Sequence, residues 1–231
     1  MKLMLIGGGE VGRGDTSYET KKIDEEIVKM TGKEHPNLLF IGLASSYSDS
    51  YYDVIKKNFK NLGCTPVYLK KNNLIHNPDI VMQKFLDADI IYVGGGDTVK
   101  LLEKIEEYHL VPYFDDALQR NVVLAGISAG AILFSLKGFS DAYILRGKKD
   151  YYDFIHGLGY TPISITPHYH QDPIKKKELK DYLKYHHDIV YGLENGTALK
   201  IEDNTMTVIH SLEHSKAYEV SYTDKFLEKE I

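Results

Sequence analysis

The chain has one cysteine, Cys64, in 231 residues. That excludes an intramolecular disulfide and a CxxC metal site, and makes a reducing compartment the natural expectation. There is no cationic excess. The formal net charge is -5, so a nucleic-acid partner has no electrostatic support. There is no long apolar run. Met1 to Ile6 is apolar, but Gly7, Gly8, Gly9 and Glu10 end it, which is too short for a signal peptide or a membrane span. Linkers, repeats and low-complexity stretches are missing too. The expectation is a single domain over residues 1–231, cytoplasmic, without a membrane partner, and a monomer or homodimer.

What is present is an alternation of short apolar runs and amphipathic stretches. With 43% hydrophobic and 26% charged residues, the chain can bury a substantial α/β core. Strands are expected at Lys2 to Ile6, Asn37 to Leu43, Thr65 to Leu69, Ala88 to Val93 and Asn121 to Ala125. Helices are expected between them, at Asp15 to Lys33, Ser48 to Leu62, Asp79 to Leu86, Thr98 to Glu107 and Pro112 to Gln119, with Thr16 and Glu19 as a capping box for the first. This rhythm predicts a mostly parallel sheet with helices on both faces, a three-layer α/β sandwich. After Ser135 the pattern changes. Gly138 to Gly159 reads as an aromatic excursion, followed by a strand at Pro162 to Thr166, a basic helix at Pro173 to His186 and a strand at Ile189 to Leu193. Short antiparallel strands near the C-terminus then cap a sheet edge.

Sites in such sheets collect at the carboxyl ends of strands. Four of these ends carry chemically useful residues. Gly126-Ile-Ser128-Ala-Gly130, between an apolar strand and a helix, matches a nucleophile elbow. Its glycines avoid clashes that a Cβ would cause, and the Ala129 amide points where an oxyanion would form. Gly94-Gly-Gly96 can present a further backbone N–H. His168 follows a proline at a strand end and is a candidate base for Ser128. Glu194 is a candidate acid to orient that base, with Asp172 as its rival. Other readings stay open at this point: an ordinary glycine turn with an incidental serine, a metal pair of His168 and His170 without a third ligand, and a dinucleotide loop at Gly7-x-Gly9-x-x-Gly12. The last lacks a ribose-binding acid after the second strand.

Four segments carry a family likeness: Gly94-Gly-Gly-Asp-Thr98, Gly126-Ile-Ser-Ala-Gly-Ala131, Pro167-His-Tyr169 and Gly192-Leu-Glu-Asn-Gly-Thr-Ala198. In order and spacing they resemble the blocks of the peptidase E (aspartyl dipeptidase) family, to which cyanophycinases are distantly related. The resemblance implies a fold similar to class I glutamine amidotransferases, which carry cysteine at the elbow. It also implies a serine peptidase acting on short peptides without metal or cofactor. Ser128 is then the nucleophile, His168 the base and Glu194 the acid, with Gly95 and Ala129 as oxyanion donors. Peptidase E has an arginine in the segment after the catalytic histidine. This chain has Lys175, Lys176 and Lys177 there, so the bidentate fork is replaced by point charges. Lys175, Arg146 and Tyr169 are the expected substrate contacts. Hydrolysis of another amide, such as an isopeptide or cyanophycin-like chain, and a non-catalytic ligand-binding role remain the alternatives.

Overall fold

The computed structural model describes residues 1–46, 48–203 and 205–231. The first half runs β1 (Lys2–Ile6), α1 (Lys21–Thr31), β2 (Asn37–Ile41), α2 (Ser48–Asn61), β3 (Thr65–Tyr68), α3 (Lys71–His76), α4 (Pro78–Leu86), β4 (Ile90–Val93), α5 (Thr98–Glu107), α6 (Val111–Gln119), β5 (Val123–Ile127) and α7 (Ala129–Phe134). The second half adds β6 (Lys137–Ser140), α8 (Ala142–Leu145), β7 (Asp153–His156), β8 (Ser164–Pro167), α9 (Pro173–His186), β9 (Val190–Leu193), β10 (Thr197–Glu202), β11 (Thr205–His210), β12 (Ala217–Tyr222) and β13 (Phe226–Glu230).

A seven-stranded sheet has the order β11-β10-β1-β5-β4-β2-β3. Its five first-half strands are parallel, while β10 and β11 add antiparallel at the β1 edge. Strand residues alternate between two cores, as the pleat requires. Leu3, Leu5, Leu39, Ile41, Ile91 and Val93 pack on one face with residues of α4 to α7. Met4, Ile6, Leu38, Phe40, Ile90 and Tyr92 pack on the other with α1 and α2. Helices therefore cover both faces, as the alternation predicts.

The second half makes its own six-stranded sheet, β13-β12-β9-β8-β6-β7, with β6, β8 and β9 parallel. Hydrophobic periodicity places strands but does not name their partners, so this division was not visible in the pattern. The aromatic excursion is part of the second sheet: Phe139 on β6 stacks on Tyr152, with ring centroids 5.8 Å apart, and Phe154 lies on β7. Elements α3 and β13 went unread, and β6, α8 and β7 lie in the stretch expected as an excursion.

The expected capping box of the first helix does not form. Helix α1 starts only at Lys21, and its N-cap Thr20 makes no side-chain capping bond. The Glu19 carboxylate instead accepts the Glu10 amide at 2.8 Å, and Thr16 Oγ1 donates to the Arg13 carbonyl at 2.9 Å. These contacts fold the β1–α1 connection back on itself. Beneath it lies Asp24, wholly buried. Its Oδ2 accepts from Tyr18 at 2.7 Å and Thr20 at 3.2 Å, while Oδ1 has no partner among the described residues.

Burial pushes the Asp24 carboxyl up to about 7, partly opposed by the Tyr18 and Thr20 hydrogen bonds. The folded-state pKa lies above the unfolded value, so the stability it confers is full at low pH and is lost as pH rises from about 4 to about 7. Asp24→Asn should flatten this part of the stability profile relative to the wild-type chain. Urea midpoints measured at pH 4, 5.5 and 7.5 check it, and parallel profiles for the two chains would show that Asp24 ionises as freely as an exposed carboxyl.

Candidate active site

Strand β5 ends at Ile127, and Ser128 turns directly into α7 with φ 53° and ψ -108°. This is a costly conformation for a residue with a Cβ, and the surrounding packing enforces it. A Cβ on Gly126 would lie 2.1 Å from the Gly130 carbonyl oxygen, and one on Gly130 would lie 2.2 Å from the Val93 oxygen. Both glycines are therefore required by close backbone approach. The Ser128 amide donates to the Ile6 carbonyl at 2.9 Å, which ties the turn to the end of β1. Gly95 sits beside it, its α-carbon aimed so that a Cβ would be 3.4 Å from the Ser128 Cβ.

His168 follows Pro167, the last residue of β8, and also has positive φ, 53°. Its amide donates to the Gly7 carbonyl at 3.0 Å. The imidazole Nε2 lies 3.0 Å from Ser128 Oγ, and Nδ1 lies 2.7 Å from Asn195 Oδ1. An amide oxygen only accepts, so Nδ1 carries the proton and Nε2 presents its lone pair to the serine hydroxyl. Burial holds the imidazole below its ordinary value, helped by the positive charge of Lys175 and opposed by the Asn195 hydrogen bond and by Asp141.

The sequence places Glu194 at His168, and the structure does not. The Glu194 carboxylate contacts His170 Nδ1 at 2.5 Å and accepts the Lys216 amide at 2.8 Å. Successive residues leaving a strand point to opposite sides, so when Asn195 faces His168, Glu194 faces away. Asp172 is not the orienting group either. It caps α9 through the Ile174 amide at 2.8 Å and accepts from the Tyr152 hydroxyl at 2.6 Å. His170 lies between Glu194 and Glu228, away from His168. No group of three His, Cys, Asp or Glu among the described residues could hold a metal ion.

The expected substrate contacts are also placed elsewhere. Lys175 is buried, and its ammonium donates to the Pro167 carbonyl. Burial pushes its pKa down to about 8. Lys176 pairs with Glu228 at 2.7 Å. Arg146 is held by Asp97 at 2.7 Å and Glu103 at 2.8 Å. Tyr169 is fully buried against Gly192, where a Cβ would strike its ring at 2.7 Å. Cys64 is buried, and burial raises its thiol to about 11, so it is no rival nucleophile.

Ser128, His168 and Asn195 line a cavity of about 380 Å³. Gly95 and Tyr51 line it too, as do Glu10 and Arg13 of the β1–α1 connection. None of these last three side chains was singled out in the sequence. The glycines around them let the loop pass close to the site. A Cβ on Gly8 would sit 2.3 Å from His168 Cε1 and 2.5 Å from Asn195 Oδ1. The Gly7–Gly12 segment is thus a close-packing device rather than a dinucleotide fingerprint.

Comparison with known proteins identifies the family. The family model for peptidase family S51 matches residues 3–209. The chain is 30% identical to the uncharacterized peptidase YgaJ of Bacillus subtilis (strain 168), covering 95% of this chain and 92% of that one. It is 27% identical to peptidase E of Nostoc sp. (strain PCC 7120 / SAG 25.82 / UTEX 2576), covering 80% and 77%. A crystal structure of a peptidase from an acI-B1 actinobacterium superposes with a TM-score of 0.74 at 21% identity, covering 100% of this chain and 93% of that one. The chain belongs to peptidase family S51 and is a serine-type peptidase.

Proposed function

We propose that this peptidase hydrolyses short peptides from one end through Ser128, His168 and Asn195. The observation that carries the reading is the relay Ser128 Oγ to His168 Nε2 at 3.0 Å and His168 Nδ1 to Asn195 Oδ1 at 2.7 Å, open to a cavity of about 380 Å³. His168 takes the serine proton as Oγ attacks the scissile carbonyl. The amides of Gly95 and Ala129 donate to the resulting oxyanion. The tetrahedral species collapses as His168 gives that proton to the leaving amine. Water, deprotonated by the same imidazole, then resolves the acyl-enzyme and regenerates Ser128. The cavity is small enough to favour a residue or two over an extended chain. Relatives that share this family carry the names peptidase E and probable alpha-aspartyl dipeptidase, which fits an exopeptidase with an acidic preference. The single buried thiol suits a cytoplasmic setting.

Asn195 takes the orienting place that an acid holds in the familiar triad. It fixes the tautomer but adds no negative charge to stabilise the imidazolium.

Ser128→Ala should abolish turnover and fluorophosphonate labelling while the thermal transition stays near that of the wild-type chain, and label retained in this variant would place the chemistry elsewhere. The acid limb of kcat/KM should titrate below 6.5, the ordinary imidazole value, because burial and Lys175 both disfavour the protonated ring. Asn195→Asp should move that limb upward by supplying a charge, and Asn195→Leu should cost roughly 10²-fold or more in kcat with the fold kept. Glu194→Gln should leave kcat within a few fold. If Glu194→Gln proves the more damaging change in kcat, the orienting role returns to the glutamate.

A further inference from the structure

Once Lys175, Lys176 and Arg146 are seen to be engaged elsewhere, the cavity still has one arginine and one carboxylate on its lining, Arg13 and Glu10. Both side chains are about half exposed, at 50% and 43%, and their closest approach is 3.8 Å. That separation is too long for a hydrogen bond, so the pair is a loose one and its charges face solvent in the cavity. The Arg13 guanidinium lies over the Tyr51 ring, 5.2 Å from its centroid. This cation–π contact restrains the guanidinium without using its N–H donors, which a planar anion can then engage. The Tyr51 ring itself is fixed, buried against Phe40 at 5.1 Å.

The mount is rigid for a connecting segment. Glu10 exchanges backbone and side-chain bonds with Glu19, at 2.8 Å each. The Arg13 carbonyl accepts both the amide and the hydroxyl of Thr16, and Asn58 of α2 donates to the Val11 carbonyl at 2.8 Å. At its start the segment is pinned to the catalytic strands, since Gly7 accepts the His168 amide and Gly8 accepts the Gly196 amide, both at 3.0 Å. Arg13 and Glu10 are therefore held at a set position relative to Ser128.

We infer that Arg13 is the receptor for a carboxylate of the substrate and Glu10 the receptor for its ammonium group, so that the site selects short zwitterionic peptides. This rests on the reading of Ser128 as the nucleophile. The carboxylate is either an acidic side chain or the free α-carboxylate, and both present the same planar pair of oxygens to the guanidinium fork. A charged substrate displaces the loose internal pair and gives each member an oppositely charged partner at hydrogen-bond distance, Glu10 Oε2 otherwise accepting only from the neutral Thr16 hydroxyl at 3.3 Å among the described residues.

The test measures kcat/KM on Asp-Leu, Ala-Leu, Ala-Leu-amide and N-acetyl-Ala-Leu for the wild-type chain, Arg13→Gln and Glu10→Gln. Arg13→Gln should reduce one ratio by ~10-fold or more, the magnitude of a lost charge-assisted fork. Collapse of Asp-Leu over Ala-Leu assigns the side-chain carboxylate. Collapse of Ala-Leu over its amide assigns the terminal one. Glu10→Gln should collapse the preference of Ala-Leu over its N-acetyl form. Wild-type ratios near one, or ratios unchanged in the variants, overturn the assignment. Fluorophosphonate labelling of Ser128 should persist in both variants. A labelled wild-type chain with unmoved ratios sinks the charge-reading assignment alone, whereas a wild-type chain that takes no label sinks the serine mechanism and this assignment together.

Discussion

The active site depends on how closely backbones can approach at the carboxyl end of β1. Ile6 accepts the Ser128 amide, Gly7 accepts the His168 amide and donates to Thr197, and Gly8 accepts the Gly196 amide. Ser128, His168 and Asn195 come from three distant parts of the sequence, and the backbone at or beside each is registered against this one short stretch. The approach is possible only without side chains. A Cβ on Gly7 would lie 2.5 Å from the Leu193 Cβ, and one on Gly8 would occupy the space of the His168 ring. The positive φ of Gly8, 148°, adds a backbone reason to the steric one. Strain at Ser128 and His168, both at φ 53°, is sustained because these hydrogen bonds over-determine their positions.

Much of this arrangement is legible in the sequence. Ser128 was readable because an elbow demands small residues at fixed spacing, and the clashes a Cβ would make at Gly126 and Gly130 are the demand itself. His168 was readable because a strand end followed by a histidine behind proline is a rigid mount. The five parallel strands followed from alternation, which reports burial directly. The residue that meets His168 Nδ1 was not legible at single-residue precision. Glu194 and Asn195 are adjacent, the chemistry argues for the acid, and only the direction in which the chain leaves β9 decides between them. The substrate contacts failed for a related reason. Charge on a helix such as α9 says nothing about whether a lysine faces substrate or, like Lys175, turns inward onto a carbonyl. Division into two sheets was hidden because pairing is a non-local property.

The site also separates two tasks that share the same kind of side chain. Around Ser128 Oγ stand an imidazole whose protonation burial disfavours and a carboxamide that carries no charge. The nearby acid Glu194 is drawn off by His170 and the Lys216 amide. A carboxylate at Nδ1 would stabilise the imidazolium and also raise its pKa, which makes the resting base easier to protonate. In the mechanism proposed above, the carboxamide gives up the first effect and keeps the base free at lower pH, so more of the transition-state stabilisation falls to the oxyanion donors. Formal charge is instead placed at Glu10 and Arg13, in water-exposed positions where it costs little to maintain. A charged ligand entering the cavity excludes that water, and the same two charges then act in a lower dielectric, where they discriminate more strongly. With the assignments proposed above, recognition is strong in the complex without the free enzyme burying an unpaired charge, and the pKa of His168 is left to its own surroundings rather than to Glu10 and Arg13.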